Sequence, residues 1–283
     1  MSQHQYQVSR GQRFEFGANW ARFLSILNDE RIRMAEESLK TMLEVEDLAG
    51  KSFLDIGSGS GLFSLAARRL GARVHSFDYD PQSVACTAEL KRRYFPDDSN
   101  WIVEEGSALD AGYLNRFSRF DVVYPWGVLH HTGDMWRALE NVTPLIVAEG
   151  VLFIAIYNDQ GRSSKIWLRI KKAYNALPMP LRWLVLVPAL LRLWGPVTIR
   201  DIARGKLFYT WRNYGKQRAR GMSPWCDVVD WVGGLPFEVA RPEEIFDFYR
   251  ERGFRLDKLK TCMGGHGCNE FVFTKSITGS CPT

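Results

Sequence analysis

The chain of 283 residues has little of what would make it a disulfide scaffold, a structural zinc protein or a transmembrane protein. Its five cysteines, Cys86, Cys226, Cys262, Cys268 and Cys281, are scattered and odd in number. They form no disulfide framework and suit a reducing compartment. Cys262, His266 and Cys268 lie close together, but no second ligand pair of suitable spacing completes a zinc site. The segment Met1 to Arg10 is polar and has no apolar core, so no signal peptide is expected. There is no fixed-period repeat and no low-complexity tract. The most apolar stretch, Leu181 to Trp194, is shorter than the roughly 20 residues a bilayer span needs and is interrupted by Arg182, Pro188 and Arg192. One further scarcity is local. From Gly161 to Met222 there are fourteen bases and a single acid, Asp201. That segment carries +13, which leaves −8 for the rest of a chain whose net charge is +5.

What is present is a globular composition, 46% hydrophobic and 24% charged. The stretch Ser52 to Phe63 organises it. Phe53, Leu54 and Ile56 read as the end of a buried parallel strand, and Gly57, Gly59 and Gly61 follow at once. A helical pattern runs from Leu62 to Leu70. Strand, glycine turn and helix N-terminus together suit a ligand lying against the backbone, with the exposed N–H groups and the helix dipole favouring an electron-rich group. The dinucleotide fingerprint would place a third glycine at position 62, and Leu62 stands there instead.

Four more strand patterns follow. Arg73 to Phe77 ends at Asp78, about 20 residues past the turn, where one carboxylate suits a ribose diol. Asp80, next to Pro81, suits the N-cap of the next helix. Trp101 to Glu105 ends at Gly106-Ser107-Ala108. Phe120 to Tyr124 leads into Trp126 and the pair His130-His131. A helix from Met135 to Val147 and a turn at Glu149-Gly150 precede an apolar strand, Val151 to Ile156, that runs into Tyr157. This alternation predicts a doubly wound parallel sheet with its ligand at the carboxyl ends of the strands. Asp55, Asp78, Ser107, Trp126 and Tyr157 all fall at those ends.

With Asp55 two residues ahead of Gly57-x-Gly59-x-Gly61, the turn resembles motif I of the class I S-adenosylmethionine-dependent methyltransferases. The resemblance is strongest to the small-molecule, ubiquinone-pathway-like O-methyltransferases, and it covers most of the chain outside the basic segment. It implies an α/β fold: a doubly wound, seven-stranded, mostly parallel sheet with a C-terminal antiparallel hairpin strand, plus a helical basic insertion. The corresponding division is 1–50 as a helical cap, 51–160 as the cofactor-binding core, 161–225 as the insertion or lid, and 226–283 as completion of the sheet. The resemblance implies S-adenosylmethionine as cofactor and S-adenosylhomocysteine as product. It implies cofactor contacts at Asp55, Gly57, Ser58, Gly59, Gly61, Asp78, Tyr79, Ser107, Ala108 and Trp126, with Trp20 closing over the bound group. Ser107 departs from the family, which often has an aspartate there for the adenine amine.

The turn containing His131 faces the transfer site in the resembled family, so His131 is the first candidate for a general base and His266 the second. Each also has a plainer role open to it, in ordering its own loop. Two glycine-rich stretches, Asp230 to Glu238 and Met263 to Asn269, are read as loops lining a substrate pocket. The expected reaction is methyl transfer to a hydroxyl oxygen of a phenol, quinol or sugar, free or lipid-linked. Methylation of N, S, C or RNA, a nucleotide-dependent oxidoreductase and a non-catalytic cofactor-binding protein are the alternatives. The basic, tryptophan-containing insertion suits a helix in an anionic membrane interface or a plain cap, and nucleic acid less well. A cytoplasmic location follows, with peripheral contact at the inner membrane face.

Overall fold

The computed structural model describes residues 2–214 and 224–277. Lys216, Arg218, Arg220 and Cys281 from the sequence reading lie outside them.

Seven strands form one sheet: β1 (Ser52–Ile56), β2 (Arg73–Asp78), β3 (Trp101–Glu105), β4 (Phe120–Tyr124), β5 (Ile146–Tyr157), β6 (Phe254–Lys260) and β7 (Cys268–Lys275). Their order is β3-β2-β1-β4-β5-β7-β6. β7 runs antiparallel to both its neighbours, and the other strands share one direction. β1 is paired on both edges, and its side chains alternate between two cores. Phe53 faces the core with Leu65, Val74 and Trp101; Leu54 and Ile56 face the core with Leu139, Ile154 and Phe271. A central parallel strand has no face left for water, which explains its unbroken apolar run. The chain moves outward from β1 to β3 and then returns to the other side of β1 at β4. That reversal opens a crevice at the carboxyl ends of β1 and β4.

Three helices precede the sheet: α1 (Gln3–Ser9), α2 (Phe16–Leu24) and α3 (Asp29–Leu43). The next four, α4 (Leu62–Arg69), α5 (Pro81–Tyr94), α6 (Ala111–Leu114) and α7 (Met135–Val142), cover the sheet faces. The insertion holds α8 (Arg162–Ala176), α9 (Trp183–Ala203) and α10 (Tyr209–Arg212), and α11 (Pro224–Gly233) and α12 (Pro242–Arg250) lead back to the sheet. A third core, built on Phe14, Trp167, Tyr174, Ala189, Val228 and Val232, ties α8, α9 and α11 to the N-terminal segment.

Four local expectations change. Helix α7 stops at Val142 and passes through a 3-10 turn at Pro144, so β5 starts at Ile146 and carries Glu149 at φ +59° inside it. Asp230 to Gly233 is the last turn of α11 rather than loop. The apolar stretch interrupted by Pro188 is one helix, since α9 runs for 21 residues through Pro188 and Pro196. Finally, Lys171 of the basic segment is fully buried, so it is no part of a basic surface.

Candidate active site

The carboxyl edge of the sheet opens into a cavity of about 1290 Å³. One lobe lies over the glycine turn. Gly57 has φ +71°, and a Cβ there would sit 2.4 Å from a Val128 methyl. Gly59 has φ +56°, and its Cβ position lies 3.0 Å from the Trp20 indole. Only glycine combines that backbone with that closeness. Gly61 is the N-cap of α4. The amides of the turn are mostly committed inside the protein: Gly57 and Ser58 donate to Phe77 O at 2.8 and 3.1 Å, and Gly61 to Ser58 O at 2.8 Å. The turn therefore presents a bare surface more than the row of free donors expected of it. The Ser58 hydroxyl is paired with Thr87 at 2.9 Å.

Asp55 is buried at 2% exposure and sits at the end of a directed relay. Trp101 Nε1 donates to Ser76 Oγ at 2.9 Å, Ser76 bonds Ser64 at 2.7 Å, and Ser64 Oγ donates to Asp55 Oδ2 at 2.5 Å. Since the Ser64 proton goes to Asp55, the Ser76 proton goes to Ser64. The relay fixes the carboxylate at the lip of the turn. Asp78, at the end of β2, accepts from Gly59 N at 2.9 Å and from Asp80 N at 2.9 Å. Burial pushes its carboxyl up to about 6 against those two bonds. Asp80 caps α5, accepting from Gln82 N at 2.9 Å, and also takes Gly17 N–H at 2.7 Å. Tyr79 lies under the Arg13 guanidinium, 4.9 Å from the ring centre. Ser107 Oγ accepts from Leu109 N at 3.2 Å, and Ala108 O accepts from Asn141 Nδ2 at 3.0 Å. Asp55, Gly59, Asp78, Tyr79, Asp80, Arg13, Ser107 and Ala108 all line the same cavity.

The other lobe is aromatic. Trp126, whose Nε1 donates to Glu270 at 3.2 Å, lines the cavity with Val128. Beyond them come Tyr157, Trp231, His266, Asp227, Asp230 and Tyr214, with Leu193, Trp194, Val197 and Arg200 of the insertion as outer wall. His131 Nδ1–H donates to Pro236 O at 2.6 Å, which leaves Nε2 as the acceptor nitrogen. Burial lowers this ring to about 3, so it is neutral throughout the physiological range. His266 Nε2 accepts from Trp167 Nε1 at 3.4 Å, and burial lowers this ring too. The structure thus brings the two candidate histidines to one lobe, each tied to a neighbour.

Lys171, Arg13, Asn19 and Asp227 there were missed by sequence reasoning, whereas Asp230 opens a stretch that was read as lining a substrate pocket. Asp230 Oδ1 accepts from Asn19 Nδ2 at 2.9 Å, and burial, reinforced by Asp227, holds its carboxyl well above the usual range. Asp227 accepts from Tyr214 OH at 2.9 Å. Behind them the buried Lys171 amine donates to Trp231 O and sits among the rings of Phe237, Trp231 and Tyr157, at 4.6, 4.9 and 5.8 Å. Desolvation drops it to about 7, with Asp230 pulling the other way. Arg13 donates to His131 O at 2.9 Å and Thr132 O at 3.3 Å. The available signal was the glycine-rich stretch from Asp230 to Glu238, read as a pocket-lining loop. Lys171 and Arg13 sit in ordinary amphipathic context and gave none.

A family model described as a methyltransferase domain matches residues 54–152, which run from within β1 to within β5 and include the glycine turn. The chain carries a class I S-adenosylmethionine-dependent methyltransferase domain. S-adenosylmethionine is accordingly its cofactor, and the site fits it: a Cβ-free turn, an acid with spare acceptor sites at the end of β2, and a hydroxyl and backbone beyond β3 lie along one lobe. Among curated relatives, the chain is 28% identical to the ubiquinone biosynthesis O-methyltransferase of Rhodopseudomonas palustris strain TIE-1 over 164 residues, 57% of this chain and 58% of that one. It is 42% identical to the ribosomal protein L11 methyltransferase of Methylococcus capsulatus over 69 residues, 24% of each. The chain thus spans about a quarter to three fifths of the length of these relatives. In fold it is similar to the magnesium protoporphyrin IX methyltransferase of Synechocystis PCC 6803, solved with bound SAH, with TM-score 0.54 at 13% identity, covering 96% of this chain and 98% of the other.

Proposed function

We propose that the methyltransferase domain moves the methyl group of S-adenosylmethionine to a hydroxyl oxygen on a small acceptor with a flat or apolar body, such as a phenol, a quinol or a sugar carried on a lipid. One observation carries this reading: a single cavity is lined both by the glycine turn and by an aromatic group, Trp126, Tyr157 and Trp231, that includes the carboxyl group of Asp230. When bound, the sulfonium supplies a methyl group that is already activated. The protein's part is then to align the acceptor, keep water out and take one proton.

Asp78 holds the ribose hydroxyls with its remaining lone pairs. Trp20 covers the turn. Trp231, Tyr157 and His266 pack on the acceptor ring or chain. Asp230 accepts the hydroxyl proton while the oxygen–carbon bond forms: it lines the lobe, Asn19 fixes one of its oxygens, and its raised proton affinity suits a proton acceptor. His131, a weak base held by Pro236, supports Tyr157 edge-on at 5.3 Å.

The test is a binding and product assay. S-adenosylhomocysteine should bind in calorimetry and raise the melting temperature by linkage, and a panel of phenols, quinols and polyols should yield an O-methylated product by mass spectrometry. Binding without any O-methyl product, or a product methylated on N, S or C, rejects the hydroxyl assignment.

A further inference from the structure

The outer surface of the insertion is strongly apolar. Helix α9 buries only Ala189 and Asp201. Its inner side packs Val185, Leu186, Leu190, Leu193 and Trp194 against the third core. Its outer side leaves Trp183, Leu184, Val187, Leu191, Ile199 and Ile202 exposed at 58, 49, 45, 65, 68 and 55%. Those positions recur at three- and four-residue steps with one longer gap at Gly195, so they make one stripe along a helix of about 31 Å. Leu207, Phe208 and Tyr209 extend it, exposed at 57, 47 and 44%. A contiguous apolar patch of this length on a folded chain marks an interaction surface.

Charge identifies the partner. The exposed basic side chains that accompany the stripe are Arg192, Arg204, Lys206 and Arg212. The single acid of the segment, Asp201, is buried and turned inward, with its carboxylate taken by Thr210 N at 2.7 Å and Thr210 Oγ1 at 2.8 Å. Apolar side chains and Trp183 accompanied by a large excess of bases match an anionic lipid surface, where the apolar face enters the acyl boundary and the bases meet headgroups. The segment Met179–Ala203 also passes the length and composition test for a span. A spanning helix would need lipid or partner helices all round, whereas the inner side of α9 is sealed onto the protein and carries Arg200 at the cavity wall.

We infer that α9 lies flat in the surface of an anionic membrane, docking the chain as a peripheral protein. Leu193, Trp194 and Val197 of this helix also wall the aromatic lobe, so an amphipathic acceptor can pass from bilayer to lobe along one helix. That consequence rests on the methyl-transfer reading; the docking does not.

The experiment is vesicle flotation of the full chain. The vesicles are equal parts phosphatidylcholine and phosphatidylglycerol, with phosphatidylcholine alone as control. The chain should float with the anionic vesicles at low salt and lose much of that at about 1 M salt, where the screening length is near 3 Å. Leu184→Asp with Leu191→Asp should weaken flotation at least about tenfold, each aspartate opposing insertion, with melting temperature and S-adenosylhomocysteine affinity unchanged. Arg204→Glu with Lys206→Glu should do the same for the anionic vesicles only. No flotation at low salt overturns the inference, as does flotation indifferent to the two aspartates. A dimer in light scattering that the aspartates split, without vesicle binding, overturns it in favour of a second copy on this face. Calorimetry on the same samples separates the readings, since flotation without S-adenosylhomocysteine binding refutes only the methyl-transfer proposal.

Discussion

The Gly59 N–H donates to Asp78 Oδ2 at 2.9 Å, joining the glycine turn after β1 to the acid at the end of β2. Backbone and carboxylate hold each other in place, and that carboxylate is pushed up to about 6 by burial. A ribose diol supplies two donors that favour the ionised form, so binding below that value must release a proton. We expect S-adenosylhomocysteine affinity to be flat above pH 7 and to fall by up to about tenfold per pH unit below pH 6. Asp78→Asn should be weaker throughout and lack the pH dependence. Calorimetry from pH 5 to 8 checks both, and a wild-type affinity independent of pH would remove Asp78 from the ribose.

Asp230 and His131 predict different rate profiles. A base must be deprotonated, so turnover rises with pH through its own ionisation. His131 ionises near 3, which gives a flat rate across neutral pH. Asp230 is held well above the usual carboxylate range, which gives a rising limb above that range. Asp230→Asn should cut kcat about 100-fold and remove the limb, with S-adenosylhomocysteine affinity kept. His131→Gln should cost far less. The reverse ranking, with a flat wild-type profile, returns the role to His131.

Lys171 should make stability depend on pH. The folded chain releases its proton near 7, while the unfolded chain holds it to about 10.5. Between those values the unfolded state binds more protons, so stability rises with pH. Lys171→Met removes the buried amine and should leave a flatter curve, with stability at pH 7 equal to or above wild type. Urea unfolding at pH 7 and pH 9 measures this, and a parallel rise in the variant would contradict it.

Gly57→Ala should destabilise the fold for two separable reasons. The new methyl meets Val128 at 2.4 Å, and alanine is strained at φ +71°. Overpacking costs about 1–3 kcal/mol and the left-handed backbone about 1–2 kcal/mol. Adding Val128→Ala removes the two methyls at 2.4 and 2.5 Å but keeps the Val128 Cβ at 2.9 Å, so it relieves part of the first cost and none of the second. Denaturant melts of the single and double variants should show partial recovery; full recovery would deny the backbone strain.

The strands, the glycine turn, Asp55, Asp78 and the Asp80 cap were legible in the sequence, because each depends on neighbours close in the chain. An apolar run of period set by a buried parallel strand, a turn that tolerates no Cβ, and an acid one strand later are local patterns, and right-handed crossovers allow them few arrangements. The acceptor lobe was legible only in part: Tyr157 and the stretches from Asp230 and Met263 were placed at the pocket, but their surroundings were not. Lys171, Asp230, Asn19 and Tyr157 come from α8, α11, α2 and β5, and nothing in the sequence near each one says that the others will surround it. Their chemistry is made by desolvation, which depends on what the fold stacks above them. The same holds for the insertion. Composition announced its bases and tryptophans, but only packing decided that Lys171 turns inward, that α9 runs through two prolines, and that Leu184 and Leu191 face away from the core.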